Sequence, residues 1–174
     1  MSAKTLSIAL TVPLVAAALG AAFAAPASAQ TCNVAGKAQC ANTTMNWQVK
    51  AHDNLKGSNF KGAKLKGADF RNANLTKANF KGAVLTSADF RNANLTKVNF
   101  TGAKLKYADF TGATMTKAQL TKAKSSNANF TGVSLQKSKL KNGNFENSNF
   151  YGADLTGANL AGSNQVPPPP PFGP

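Results

Sequence analysis

Large apolar residues fall at every fifth position from Leu55 onward: Leu55, Phe60, Leu65, Phe70, Leu75, Phe80, Leu85, Phe90, Leu95, Phe100, Leu105, Phe110, Met115 and Leu120. The register passes one fault, Ser125, and resumes with Phe130, Leu135, Leu140, Phe145, Phe150, Leu155 and Leu160, giving 22 centres with a single exception. Two residues before each centre the side chain is small, as at Ala63, Ala68 and Ala73, with Val98, Val133, Ser138 and Gly143 as variants. A period of five suits neither regular element. On an α-helix it advances about 140° beyond a full turn, scattering the large residues round the cylinder. In a flat strand an odd period sends successive centres to opposite faces. The backbone therefore turns within each unit. A turn repeated identically winds the chain into a solenoid whose large and small residues point to the axis.

The stretch from Phe70 to Phe80 reads FRNANLTKANF and that from Phe90 to Phe100 reads FRNANLTKVNF, identical at an offset of 20 except for Ala78 against Val98. Twenty residues is four units, so four corners close one coil; a recent duplication leaves the same trace. The units Ala68-Asp69-Phe70, Ala73-Asn74-Leu75, Ala78-Asn79-Phe80 and Ala88-Asp89-Phe90 resemble the tandem motif of the pentapeptide-repeat family, and the resemblance covers residues 51–164. It implies an all-β fold, the right-handed quadrilateral parallel β-helix with four five-residue units per coil. The central Leu or Phe and the small residue two before it then face inward. It implies no single activity, since the family's roles include topoisomerase inhibition by DNA-mimicking members. Ser125, Gly143 and the loss of strict Leu/Phe alternation after Met115 depart from the pattern and make the second half the less regular one.

On this reading the centres build between five and six coils, a rod roughly 26 Å long at roughly 4.8 Å per coil. Phe70, Phe90, Phe110, Phe130 and Phe150 form one core column, and Phe60, Phe80, Phe100, Leu120, Leu140 and Leu160 another. Ser125 falls in the column of Leu65, Leu85, Leu105 and Phe145. It is expected to be a weak point unless its hydroxyl finds a backbone carbonyl.

The ends differ from the repeats. Residues 1–29 carry Lys4, an acid-free apolar stretch from Leu6 to Ala25 and the small-residue triplet Ala27-Ser28-Ala29. This is the pattern of a secretory signal peptide cleaved before Gln30, which would place the mature chain in the periplasm or outside the cell. A retained membrane anchor is the competing reading, weakened by Pro13 within a short Ala-rich core. Residues 30–50 show no repeat and read as an N-terminal cap. Cys32 and Cys40, an even pair in an exported chain, are expected to form a disulfide. A metal site is the alternative, with only His52 available as a soft partner outside the pair. Residues 165–174, with five consecutive prolines, read as a disordered tail, with a spacer or a groove ligand as alternatives.

Charge then sharpens the functional question. Lys plus Arg number 20 against 6 Asp plus Glu, a net +14, opposite in sign to a DNA mimic. Lys77, Lys97, Lys117 and Lys137 recur every 20 residues and should stand in one file, while Lys104 and Lys124 start a second. Like charges that close repel unless an anion intervenes, so the expected partner is an anionic envelope polymer such as lipopolysaccharide or an acidic glycan. A merely solubilising surface is the plain alternative. Asp69, Asp89 and Asp109 form an acidic file that Arg71 and Arg91 would bridge between coils, a structural arrangement, and Thr76, Thr96 and Thr116 would complete turns. Nucleic acid is a poor partner because the Phe residues needed for stacking are committed to the core, leaving only Tyr107 and Tyr151 as exposed candidates inside the repeats.

No enzyme is expected. His52 beside Asp53 has no Ser or Cys nucleophile at a supporting spacing, and no motif calls for a metal or other cofactor. The functional class that remains beside polymer binding is a protein-interaction module, forming a homodimer or docking a partner through a free last coil near Leu160. Contact with a membrane surface stays open under either.

Overall fold

The computed structural model of the chain describes Ala41 and residues 54–164. The readings for residues 1–29, for Cys32 and Cys40, for His52 and Asp53 and for the tail 165–174 lie outside the described residues. Within 54–164 each five-residue unit makes one corner, and the unit centred on Leu75 shows how its backbone is satisfied. The Leu75 amide donates to Asn94 O (2.8 Å) and the Lys77 amide to Thr96 O (2.9 Å), both in the next coil. Ala78 N closes the corner on Leu75 O (2.9 Å), and Asn79 N reaches back one coil to Ser58 O (2.9 Å). The fifth amide, Thr76 N, donates to Asn74 Oδ1 (3.2 Å). All five donors are thus paired, the requirement that buried backbone imposes.

That accounting explains the Asp or Asn before most centres. Its carboxyl or amide oxygen accepts from the amide two residues on, as in Arg71–Asp69, Thr101–Asn99 and Thr131–Asn129, a local turn this residue type forms readily. The second residue after every centre from Gly57 to Gly162 has φ between 55° and 70°, as the third position of a type II turn demands. Glycine and Asn take most of these corners; Lys77, Ser87, Lys97, Tyr107, Lys117, Lys122 and Lys137 take the rest, and none is β-branched. Parallel bridges at an offset of 20 run from Asn54↔Asn74 to Asn144↔Asn164, so the coil is four units long.

The interior is filled as the period requires. Phe70, Phe90, Phe110, Phe130 and Phe150 stack in one column at centroid spacings of 4.9, 5.0, 4.9 and 4.8 Å with planes within 6°. Phe60, Phe80 and Phe100 stack beside them and meet them edge-on, for example Phe80 to Phe70 at 5.5 Å. Leu160 is a correction to the column reading: it is only partly buried, with Ala153 and Ala158, because no described coil lies beyond it.

Ser125 is fully buried and its Oγ has no hydrogen-bond partner. Its carbonyl instead accepts from Ser148 Oγ. The hydroxyl does not find the carbonyl that would have made it neutral.

Candidate polyanion-binding surface

Because the corner geometry repeats every coil, residues 20 apart stand one above another, and the charges sort into files. Lys77, Lys97, Lys117 and Lys137 are all exposed and share one corner. Their amides bond in succession to Thr96, Thr116, Gln136 and Thr156 carbonyls at 2.8–2.9 Å. Glycine closes the file at both ends, at Gly57 and Gly157. All four lysines hold φ between 55° and 60°, where a side chain with a Cβ costs about 1–2 kcal/mol relative to right-handed backbone. The file therefore puts charge where glycine would sit with less strain.

The second file begins earlier than the sequence spacing suggested. Bridges link Lys64↔Val84, Val84↔Lys104 and Lys104↔Lys124, so Lys104 and Lys124 continue a straight row headed by Lys64. The 40-residue gap to Lys64, interrupted by Val84, hid it. Lys66 and Lys106 flank this row at the downstream corner and Lys122 at the upstream one, all exposed. These lysines occupy the face between two corners, whereas the Lys77 file occupies a corner.

Opposite charge is gathered elsewhere. Arg71 and Arg91 pair first within their own coil, with Asp69 at 2.7 Å and Asp89 at 2.6 Å, and reach the next coil only at 3.7 Å to Asp89 and 4.0 Å to Asp109. The bridging role expected of them is the weaker half of the contact. The hydrogen bond from Arg71 holds the Asp69 carboxyl below its ordinary 3.8, and Thr156 and then Gln136 do the same for Asp154. The same pairing raises both guanidinium values. Among the described residues every ion pair belongs to these two arginines and none to a lysine.

The threonines complete turns: Thr76 donates through its amide and Oγ1 to Asn74 Oδ1, Thr96 N donates to Asn94 Oδ1, and Thr116 Oγ1 meets Ser134 Oγ at 3.2 Å. Among the described residues no cluster of three His, Cys, Asp or Glu could hold a metal, and no helix is long and apolar enough to cross a membrane.

The profile described as pentapeptide repeats matches residues 54–92, 93–124 and 128–164 in eight copies. Among solved structures, a trypsin-treated form of QnrB1, a plasmid-mediated fluoroquinolone resistance protein, is 30% identical, covering 70% of this chain and 62% of that one, with a TM-score of 0.65. A pentapeptide repeat protein from the cyanobacterium Cyanothece 51142 is 21% identical over 72% of this chain and 85% of its own, at a TM-score of 0.44. One from the Arabidopsis thaliana thylakoid lumen is 38% identical over 60% and 66%, at 0.35. The chain therefore spans less than two thirds of QnrB1. No curated protein matches it. The described coils are those of the right-handed quadrilateral β-helix.

Proposed function

The chain belongs to the pentapeptide-repeat family, a family of structural and protein-interaction modules, and from that premise we propose that it is an exported, non-enzymatic scaffold whose basic files bind an anionic polymer of the cell envelope. Residues 1–29 direct export and cleavage before Gln30 leaves the scaffold in the periplasm or outside the cell. The observation that carries the reading is the Lys77, Lys97, Lys117, Lys137 file: four exposed, unpaired ammonium groups on strained corners, bracketed by glycine. Strain retained at a surface position points to a role for the side chain. Four cations at coil spacing attract a linear polyanion lying along the rod, with affinity that falls as salt rises.

The test replaces the four lysines by Gly, the residue already present at both ends of the file. Relief of corner strain offsets the added freedom of the unfolded chain, worth about 0.4–1 kcal/mol per site, so the rod should keep its stability. Retention on lipopolysaccharide and on dextran sulfate should drop to lower eluting salt; retention equal to that of the parent chain defeats the proposal. N-terminal sequencing of the envelope fraction should begin at Gln30.

A second reading, a protein partner or second copy on the last coil, draws on partly exposed Leu160 with Ala153 and Ala158. Light scattering separates the two, because apolar docking persists in high salt and polymer capture does not.

A further inference from the structure

The face headed by Lys64 departs from two local preferences together: it gives up the turn acceptor in successive coils, which elsewhere only Lys139 does among the lysines and valines before a centre, and it carries an aromatic residue at a left-handed corner. Before the centres Leu55, Phe70 and Phe80 stand Asn54, Asp69 and Asn79, but before Leu65, Leu85, Leu105 and Ser125 stand Lys64, Val84, Lys104 and Lys124. Lysine and valine have no acceptor, so this face gives up the turn hydrogen bond from the following corner amide in four successive coils. At its downstream corner Tyr107 takes a φ of 61° in a file whose other members are Gly67, Ser87, Asn127 and Asn147. A bulky residue in that region is an outlier. Tyr107 is nevertheless 52% exposed, with Lys106 Nζ 4.7 Å from its ring centroid. Neither departure serves the core, and both put side chains on one plane.

We propose that this face, with Lys64, Lys104 and Lys124 as its central row and Tyr107 at its edge, lies flat against an anionic lipid bilayer. Straight parallel bridging makes the row planar, and Lys66, Lys106 and Lys122 widen it into a sheet of positive charge. Glu146 shares the register of the downstream corner with Lys66 and Lys106, while Asp69, Asp89 and Asp109 lie one face round. A planar array of cations complements a planar array of headgroup phosphates, and basic residues near such a surface are attracted without insertion. Tyrosine, with an apolar ring and a polar tip, is suited to the level of the headgroups. A linear polymer is served by a single corner file, whereas a planar array of cations with a ring at its edge matches a surface. The inference goes beyond the proposed function and does not need the Lys77 file.

The test is flotation of the full chain with phosphatidylcholine vesicles, with and without phosphatidylglycerol. The chain should float with the anionic vesicles, not with pure phosphatidylcholine, and should be released by salt. Each lysine is worth roughly fivefold in partition, so Lys64→Gln, Lys104→Gln and Lys124→Gln together should weaken it on the order of a hundredfold. Tyr107→Gly should weaken it severalfold while leaving the thermal midpoint no lower, since the glycine suits the corner. The Lys77, Lys97, Lys117, Lys137 variant should float like the parent.

Three results overturn the proposal: no flotation of the parent with anionic vesicles, equal flotation of the triple variant, or dependence of dextran sulfate binding on the triple with vesicles ignored, which makes a polymer the ligand of this face. Failure of the corner-file reading shows separately, as unchanged dextran sulfate retention by the four-lysine variant.

Discussion

The coils above Met115 and those below it share one backbone and fill it differently. Above, Phe60, Phe80 and Phe100 face the Phe70 column, Leu fills the remaining centres, and the small position is Ala or Val at nearly every unit. Below, Leu120 and Leu140 replace phenylalanine, Ser125 empties a centre, and Phe145 enters one coil on. The Phe145 ring stands edge-on to Phe130 at 5.9 Å and to Phe150 at 5.7 Å, the role Phe80 and Phe100 hold above. A Cβ on Gly143 would collide with that ring, meeting its Cζ at 2.9 Å. Gly143 and Phe145 are therefore one coupled change, one coil on from Ser125.

Turn hydrogen bonds hold the backbone constant, so volume lost at one coil is recovered at its neighbour, as dense packing requires. Polar groups admitted below follow the same rule where they can: Ser138 Oγ donates to Met115 O at 2.9 Å. Ser125 Oγ is the exception.

The deepest way to break this comparison is to remove a ring. Phe90→Ala leaves a hole flanked by Phe70 and Phe110 and should cost about 3–5 kcal/mol in urea unfolding. Leu140→Ala should cost less by about 1 kcal/mol, the part due to ring contacts; equal losses would show that the stacked column is ordinary burial.

Next, Gly143→Ala should cost about 1–3 kcal/mol through overpacking. Combined with Phe145→Leu the penalty should shrink, so the two changes should fail to add by at least about 0.5 kcal/mol; additive losses would dissolve the coupling. Ser125→Ala removes a buried unpaired hydroxyl and should raise stability by about 1 kcal/mol, and no gain would mean the lower half carries no deficit there.

The smallest effect lies on the surface of both halves. Asp69 and Asp154 have folded values below 3.8, so their stabilisation is complete above that value and is lost as pH falls through the folded ones. Acid titration of stability should therefore show a falling limb below about pH 4. Asp69→Asn keeps the turn acceptor but removes the ion pair, and should change stability at pH 7 by under about 1 kcal/mol while flattening that limb.

Much of the fold was legible because its signal is compositional and local. Each centre is large, each residue two before it small, and the offset of 20 matches FRNANLTKANF to FRNANLTKVNF. The candidate surface was legible only in part. The Lys77 file shows itself by an unbroken interval, whereas the row of Lys64, Lys104 and Lys124 has Val84 in its gap and shares a face with Lys66, Lys106 and Lys122 that lie in other registers.

By itself the sequence determined where the chain bends, which side chains turn inward and how many residues make a coil, since period and side-chain size are properties of neighbouring residues. Only the tertiary structure decided that Phe145 occupies the space a Cβ on Gly143 would need, that Ser125 Oγ is left unpaired, and that lysines hold left-handed corners. Those outcomes depend on where a side chain two residues away points inside the coil, on which polar groups of neighbouring coils come within reach, and on the sign of a backbone dihedral. None of these is written in the spacing of hydrophobic and polar positions.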